Sequence, residues 1–320
     1  MGRRIPWVRR HSARGKLTAA PRLKLTPVRR SRRLADMPEI ERPDGTRIYY
    51  EVHGEGFPLL LFAPGGINSQ VSFWSRSAVN PLEFADEFRV IAMDQRNAEH
   101  SPAPLEAPTW SKHAADQRAV LDALGVQRTL LYGGCIGVAF ILRFIKEAPE
   151  RVAAAVGQDP VGLAEGVNTR ETFFAMFRPT IETARQGGMR AVVDAAMSNP
   201  LFVANNAGGP FAARIAADSA FREAVLATSV DAYERVIRDY DAQLWGANEP
   251  FVSVEESDVR SLPVPLLILP GNDPFHPTPV SRRIEAEAPN ARCLDVDCRA
   301  PGKIEETKQA IRSFLREHAR

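Results

Sequence analysis

The sequence has no apolar run long enough to cross a membrane. Its apolar strings, such as LLLF at 59–62 and LLIL at 266–269, are four residues long, whereas a membrane-spanning helix needs about 18 or more apolar residues. Strings this short are typical of strands buried inside a sheet. We therefore expect a soluble protein that neither crosses nor binds a membrane.

Cysteine is scarce, with three residues at positions 135, 293 and 298. Their spacing is not that of metal ligands, and the count is odd. Cys293 and Cys298 lie five apart on one predicted strand, so their side chains point to opposite faces and they are poor disulfide partners. We expect a reducing, cytoplasmic location and neither a metal nor another cofactor.

Acidic residues are almost missing from the first 36 positions, which hold 12 Lys or Arg and one acid, Asp36. The remainder has 29 basic and 38 acidic residues, a net charge of −9. Such an arm is compatible with a nucleic-acid or membrane tether or a targeting peptide. However, it lacks the apolar core of a secretory signal, and Met37 opens a segment that leads directly into a strand. We favour a basic disordered arm or a misassigned start for residues 1–36, with no nucleic-acid partner.

Short apolar segments alternate with helical patterns along the rest of the chain. This alternation predicts an α/β fold with a doubly wound, mostly parallel sheet. The core is predicted at 37–162 and 259–320. The predicted strands are RIYYEVH, PLLLFAP, FRVIAMD, TLLYGG, VAAAVGQDP, VPLLILPG and ARCLDVDC, and the predicted core helices are Trp110–Leu124, Val138–Ala148, Thr278–Ala288 and Ile304–His318.

Strand patterns disappear between 163 and 258, where only helical patterns remain. An all-helical insertion of this size between two strands is typical of a helical cap over an active site. Four aromatic side chains of this segment are candidates for lining a pocket, although helical aromatics are more often core residues. They are Phe173, Phe174, Phe177 and Trp245.

The predicted strand TLLYGG runs through Gly134 into Cys135, and a predicted helix follows at once. Gly133 and Gly137 lie two residues before and two after the cysteine. This pattern predicts a nucleophile elbow, in which small residues let strand and helix approach closely and the central side chain is exposed above the sheet. A helix N-terminus favours a thiolate, so we interpret Cys135 as a nucleophile.

A second loop, Pro64-Gly65-Gly66-Ile67, follows the predicted strand PLLLF. Backbone N–H groups of such a loop pair with the N–H that follows the nucleophile to bind a developing oxyanion. The predicted oxyanion hole therefore consists of the N–H of Ile136 with that of Gly66 or Ile67.

Two further segments, Asp94-Gln95-Arg96-Asn97 and the Asp273 segment PGNDPFHP, complete a resemblance to the α/β-hydrolase superfamily over about residues 44–320. The G-x-C-x-G elbow is similar to that of a bacterial subgroup with cysteine at the nucleophile position. The resemblance implies the α/β-hydrolase fold and Asp273 as the catalytic acid. Asp94 and Arg96 are expected to brace loops.

The chain departs from the superfamily at the catalytic base. The family carries a histidine after its last strand, but this sequence reads Arg299-Ala300-Pro301-Gly302-Lys303 there. Of the six histidines, His276 lies three residues after Asp273 and is the first candidate for the base. His100, on the loop after FRVIAMD, is a possible alternative base.

These residues favour a hydrolase of an ester, lactone or thioester that works through a Cys135 thioacyl intermediate. Cysteine tolerates a weakened base, because part of it is thiolate near neutral pH. Two alternatives stay open: an acyltransferase or lyase on the same scaffold, or a non-catalytic ligand-binding protein on a degenerate hydrolase fold. The expected partner is a small-molecule acyl substrate, and a homodimer is possible.

Overall fold

A computed structural model describes residues 38–320 except 67–68, 246–249, 298–299 and 301. The basic arm, Ile67 and Cys298 therefore lie outside the described residues. In the described part of the chain, no helix is both long and apolar enough to cross a membrane.

One eight-stranded sheet forms the centre of the fold, with the strand order β1-β2-β4-β3-β5-β6-β7-β8. The first two strands pair antiparallel to their neighbours and all others pair in parallel. The strands are β1 (Glu39–Glu41), β2 (Arg47–His53), β3 (Pro58–Phe62), β4 (Arg89–Met93), β5 (Thr129–Gly134), β6 (Val152–Gln158), β7 (Leu266–Leu269) and β8 (Ala291–Cys293).

Helices cover both faces of this sheet, which confirms the predicted doubly wound architecture. Alternate residues of β3 enter different cores: Leu60 and Phe62 join one, whereas Leu59 and Leu61 join the other. The two burial faces explain why the central strands read as continuous apolar runs. The helices are α1 (Trp110–Ala123), α2 (Ile136–Glu147), α3 (Arg170–Phe174), α4 (Arg178–Ser198), α5 (Ala212–Ala217), α6 (Ser219–Ala227), α7 (Val230–Trp245), α8 (Glu256–Arg260), α9 (Thr278–Glu287) and α10 (Ile304–His318).

The predicted elements differ from the structure in three places. β1 was not predicted, and α2 begins at Ile136, two residues earlier than expected. The last strand ends at Cys293, so a single strand carrying both Cys293 and Cys298 is wrong. β8 is the edge strand and pairs with β7 alone, and its register ends at Cys293. In the described part of the chain, the printed register of this edge strand does not continue into the alternating pattern that follows it.

The segment between 163 and 258, called the helical insert below, contains only helices among its described elements. Its longest helix, α4, bends at Gly188, whose φ of 69° is non-helical. The helices pack around buried aromatic rings, and Phe173 stacks on Trp245 with ring centroids 4.0 Å apart. Phe173, Phe177 and Trp245 are all buried, so they belong to the core of the insert.

Candidate functional site

Cys135 sits at a sharp turn between β5 and α2. Its φ of 56° and ψ of −119° lie in a region that residues with a side chain rarely adopt. Such backbone strain at the junction of a strand and a helix is the geometry of a nucleophile elbow. The turn is held in part by a hydrogen bond from the Cys135 N–H to the carbonyl of Gln158, 2.9 Å away on β6.

The two glycines around Cys135 are required by close backbone approach. A Cβ atom on Gly133 would lie 2.4 Å from the carbonyl oxygen of Gly137, and a Cβ on Gly137 would lie 2.1 Å from the carbonyl oxygen of Phe62. Real side chains do not tolerate such distances. Close backbone packing therefore explains why small residues are needed two positions before and two positions after the cysteine.

Two of the predicted oxyanion-hole residues fall within the described chain. Ile136 is the first residue of α2, so its N–H has no acceptor within the helix. Gly66, with a φ of 63°, follows β3, and β3 pairs directly with the elbow strand β5. The sequence thus brings a helix N-terminus and a glycine loop to the same edge of the sheet. The third candidate, Ile67, is not among the described residues.

Asp273 and His276 form a hydrogen-bonded pair on the loop after β7. The imidazole Nδ1 lies 2.8 Å from Oδ2 and 2.9 Å from Oδ1 of Asp273. Oδ1 also accepts hydrogen bonds from the backbone N–H groups of Phe275 and His276, at 2.9 and 3.0 Å. With Nδ1 bound to the carboxylate, Nε2 is the ring nitrogen that faces away from Asp273 and is buried.

The electrostatics connect this imidazole to Cys135. Burial alone lowers the pKa of His276, but hydrogen bonding and charge interaction with Cys135 and Asp273 outweigh it and raise the pKa to about 9. Nε2 makes no hydrogen bond of standard geometry within the described chain. Catalytic hydrogen bonds are often poorly aligned in the absence of substrate. The ring is therefore close enough to Cys135 for the two side chains to interact.

The loop that carries His276 is braced by a residue that sequence reasoning missed. The amide Nδ2 of Asn168 donates to the carbonyl oxygen of Pro274, 2.8 Å away and 106 residues distant in sequence. The Oγ1 of Thr278 donates to the carbonyl of Gly271 at 2.6 Å. The Phe275 ring packs edge-on against Phe173 of the insert. No sequence signal marks Asn168, because its partners are backbone carbonyls.

His100, the alternative base, occupies a different environment. Its Nδ1 lies 3.0 Å from Oδ2 of Asp94, and its ring packs on Tyr49. The hydrogen bond that His100 donates to the Asp94 carboxylate raises the pKa of His100 despite its partial burial. With Asp94 and Glu99 it forms a cluster whose potential metal-ligand atoms lie within 4.8 Å of one another. Among the described residues, Cys135 does not contribute to this cluster.

Asp94 and Arg96 brace loops, as expected. The Asp94 carboxylate accepts hydrogen bonds from the N–H groups of Val71 and His100. Arg96 is buried and binds both carboxylate oxygens of Asp116 on α1, at 2.7 and 2.9 Å. These contacts hold the loop after β4 against its neighbours.

The remaining described histidines contact residues of β2, α1, α2 and α10. His53 contacts Glu51 near the end of β2, and His318 packs on Phe314 of α10. His113 is fully buried between aromatic rings, and burial together with the charge of Arg96 lowers its pKa to about 3.

Residues 58–300 match the alpha/beta hydrolase fold family, and the chain belongs to it. The esterase RhEst1 from Rhodococcus sp. ECU1013 has a similar structure, with a TM-score of 0.56, 22% identity, and coverage of 88% of this chain and 99% of that one. At this identity the likeness shows the fold alone.

Two curated relatives match shorter parts of the chain. A protein of Azorhizobium caulinodans named carbamate hydrolase RutD is 34% identical over 105 residues, 33% of this chain and 38% of the relative. The 2-hydroxy-6-oxo-6-phenylhexa-2,4-dienoate hydrolase of Comamonas testosteroni is 29% identical over 150 residues, 43% of this chain and 51% of the relative. The chain thus matches about half or less of the length of each.

Proposed function

We propose that the protein is a hydrolase that cleaves an ester, lactone or thioester through a thioacyl intermediate on Cys135. The observation that carries this proposal is the Asp273–His276 pair, whose imidazole has its pKa raised by Cys135. Family membership and the hydrolase names of the curated relatives support the same reaction class. His276 supplies the base that the loop after the last strand lacks.

In the first half of the reaction, the Cys135 sulfur attacks the substrate carbonyl carbon. The carbonyl oxygen becomes an oxyanion, which the N–H groups of Ile136 and of the loop at Gly66 or Ile67 stabilise. The tetrahedral intermediate collapses with cleavage of the bond to the leaving group. The protonated His276 donates its Nε2 proton to the departing oxygen or sulfur, which leaves a thioester on Cys135 and a neutral imidazole.

The second half needs a base, and acylation itself provides one. Once the sulfur is acylated it carries no negative charge, so the interaction that raises the pKa of His276 through Cys135 is lost. A neutral ring, oriented by Asp273 through Nδ1, then accepts a proton from water as that water attacks the thioester. Release of the acid restores the sulfur and the protonated imidazole. In this cycle water accepts the acyl group, so the reaction needs no other acceptor.

The test is incubation with a panel of small activated esters, lactones and thioesters, followed by intact mass and product analysis. We expect a mass increase equal to the acyl group on Cys135, which Cys135→Ala abolishes. Cys293→Ala is the matched control, because burial and Glu285 raise the pKa of Cys293 to about 12 and make it a poor nucleophile. Acylation at Cys293, or ester cleavage that persists in Cys135→Ala, would rule out the proposed nucleophile.

Adding hydroxylamine or a thiol to the same reaction separates the alternatives. Free acid as the main product supports hydrolysis, whereas product that goes mainly to the added acceptor indicates an acyltransferase. Ligand binding without acylation would identify a non-catalytic binding protein.

A further inference from the structure

One buried side chain outside the proposed triad connects the helical insert to the loop of the base. Asn168 is 7% exposed and lies just before α3. Its Nδ2 donates to the carbonyls of Gly162, at 2.9 Å, and Pro274, at 2.8 Å, while its Oδ1 accepts the N–H of Ala164 at 2.9 Å. Both amide donors and the carbonyl are therefore engaged.

The carbonyl that Asn168 binds lies inside the Asp273–His276 pair. Pro274 immediately follows Asp273 and precedes His276 by two residues, so a shift of its peptide group moves both catalytic side chains. The loop also folds tightly on itself, because a Cβ on Gly271 would lie 2.5 Å from the Cβ of His276. Asn168 therefore ties a compact loop, which carries both Asp273 and His276, to the segment that precedes α3.

We propose that Asn168 is a positioning residue that orients His276 toward Cys135 by anchoring the Pro274 carbonyl to the start of the helical insert. This inference rests on the proposed role of His276. The contact also means that a displacement of the 162–168 segment is transmitted to the base. Through the Asn168–Pro274 contact, the 162–168 segment controls the alignment of His276 with Cys135.

The test compares Asn168→Ala with Asn205→Ala. Asn205 is a matched control, because its Nδ2 also donates to two backbone carbonyls, those of Ala195 at 2.7 Å and Asn199 at 3.2 Å, within the insert. Two properties are measured for each variant: the rate of Cys135 alkylation by iodoacetamide at pH 7, read by peptide mass, and the pKa of His276, read by NMR. Neither measurement requires a substrate.

We expect Asn168→Ala to slow alkylation of Cys135 by about 10-fold, because the thiolate is the reacting form and a displaced imidazolium changes the thiol pKa by about one unit, and to lower the pKa of His276. Asn205→Ala should leave both values at those of the wild type, even if it lowers the melting temperature as much as Asn168→Ala does. Equal values in Asn168→Ala and wild type would overturn the proposal, and so would equal losses in both variants. If Asn168→Ala does not fold, Asn168→Ser, which keeps one short donor, is judged by the same criteria.

The outcomes also separate this inference from the proposed reaction. If no acyl compound labels the wild-type enzyme but Asn168→Ala still slows alkylation, the positioning role holds and the acyl-enzyme mechanism fails. If acylation occurs and Asn168→Ala is neutral, the reaction stands and the positioning role is wrong.

Discussion

Replacing Cys135 by alanine should lower the pKa of His276, although the substitution removes only one sulfur atom. The wild-type value of about 9 exceeds the usual 6.5 of histidine. The difference corresponds to about 3 kcal/mol in favour of the protonated ring. Because burial acts in the opposite direction, the favourable interactions with Cys135 and Asp273 together exceed this net value.

Cys135 and Asp273 both raise the pKa of His276. Loss of an adjacent opposite charge changes a pKa by about 1 to 3, so we expect Cys135→Ala to lower the pKa of His276 by about 1 to 2. Asp273→Asn should lower it as well, and Cys293→Ala should have no effect.

The measurement is an NMR pH titration of protein with ¹⁵N-labelled histidine, with His276 assigned by its loss in His276→Asn. His113 provides an internal reference, because its pKa of about 3 keeps it neutral throughout the range from pH 5 to 10. An unchanged titration of His276 in Cys135→Ala would mean that the ring does not sense the sulfur. That result would remove the observation on which the proposed function rests.

Two further predictions concern stability. Gly137→Ala should lower the free energy of unfolding by about 3 kcal/mol or more, since its Cβ would overlap the carbonyl at the end of β3. Gly125 has open space around it and a φ of 67°, so Gly125→Ala should lower the free energy of unfolding by about 1 kcal/mol in a denaturant titration. Equal losses in the two variants would contradict the steric argument. Because the pKa of His113 is about 3 in the fold and near 6.5 when unfolded, stability is full above pH 6.5 and falls by at most about 5 kcal/mol as the pH drops toward 3. His113→Leu should reduce this acid dependence in thermal unfolding, His53→Leu should not, and the same dependence in all three proteins would refute the assignment.

The sequence predicted the sheet well because two-sided burial leaves a strong local signal. The central strands are short, apolar and separated by helical patterns, and the prediction of a doubly wound sheet required no more than that alternation. The elbow was equally visible, because close approach of strand and helix admits only glycine at 133 and 137. Both features depend on residues that are near one another in sequence.

The end of the sheet was less predictable. The segment ARCLDVDC alternates in the manner of a strand, yet only its first three residues pair with β7. Alternation reports which faces are polar, and it does not report how far a neighbouring strand extends. The length of an edge strand therefore depends also on its one partner, here β7, which is distant in sequence.

The orientation of His276, the proposed base, could not be predicted, because proximity in sequence alone does not decide where a side chain points. His276 is only three residues from Asp273, but the two prolines that flank it are compatible with a ring turned toward Cys135 or away from it. Contacts from distant segments also hold this loop: Asn168 donates to the Pro274 carbonyl, and Phe173 of the insert packs on Phe275. Since these partners bind a backbone carbonyl and an aromatic ring, they leave no motif. On the proposed reading, packing of the insert on the loop after β7 sets the orientation of His276. The Nδ1 of this histidine is bound to Asp273, which leaves Nε2 as the ring nitrogen available to the proposed nucleophile.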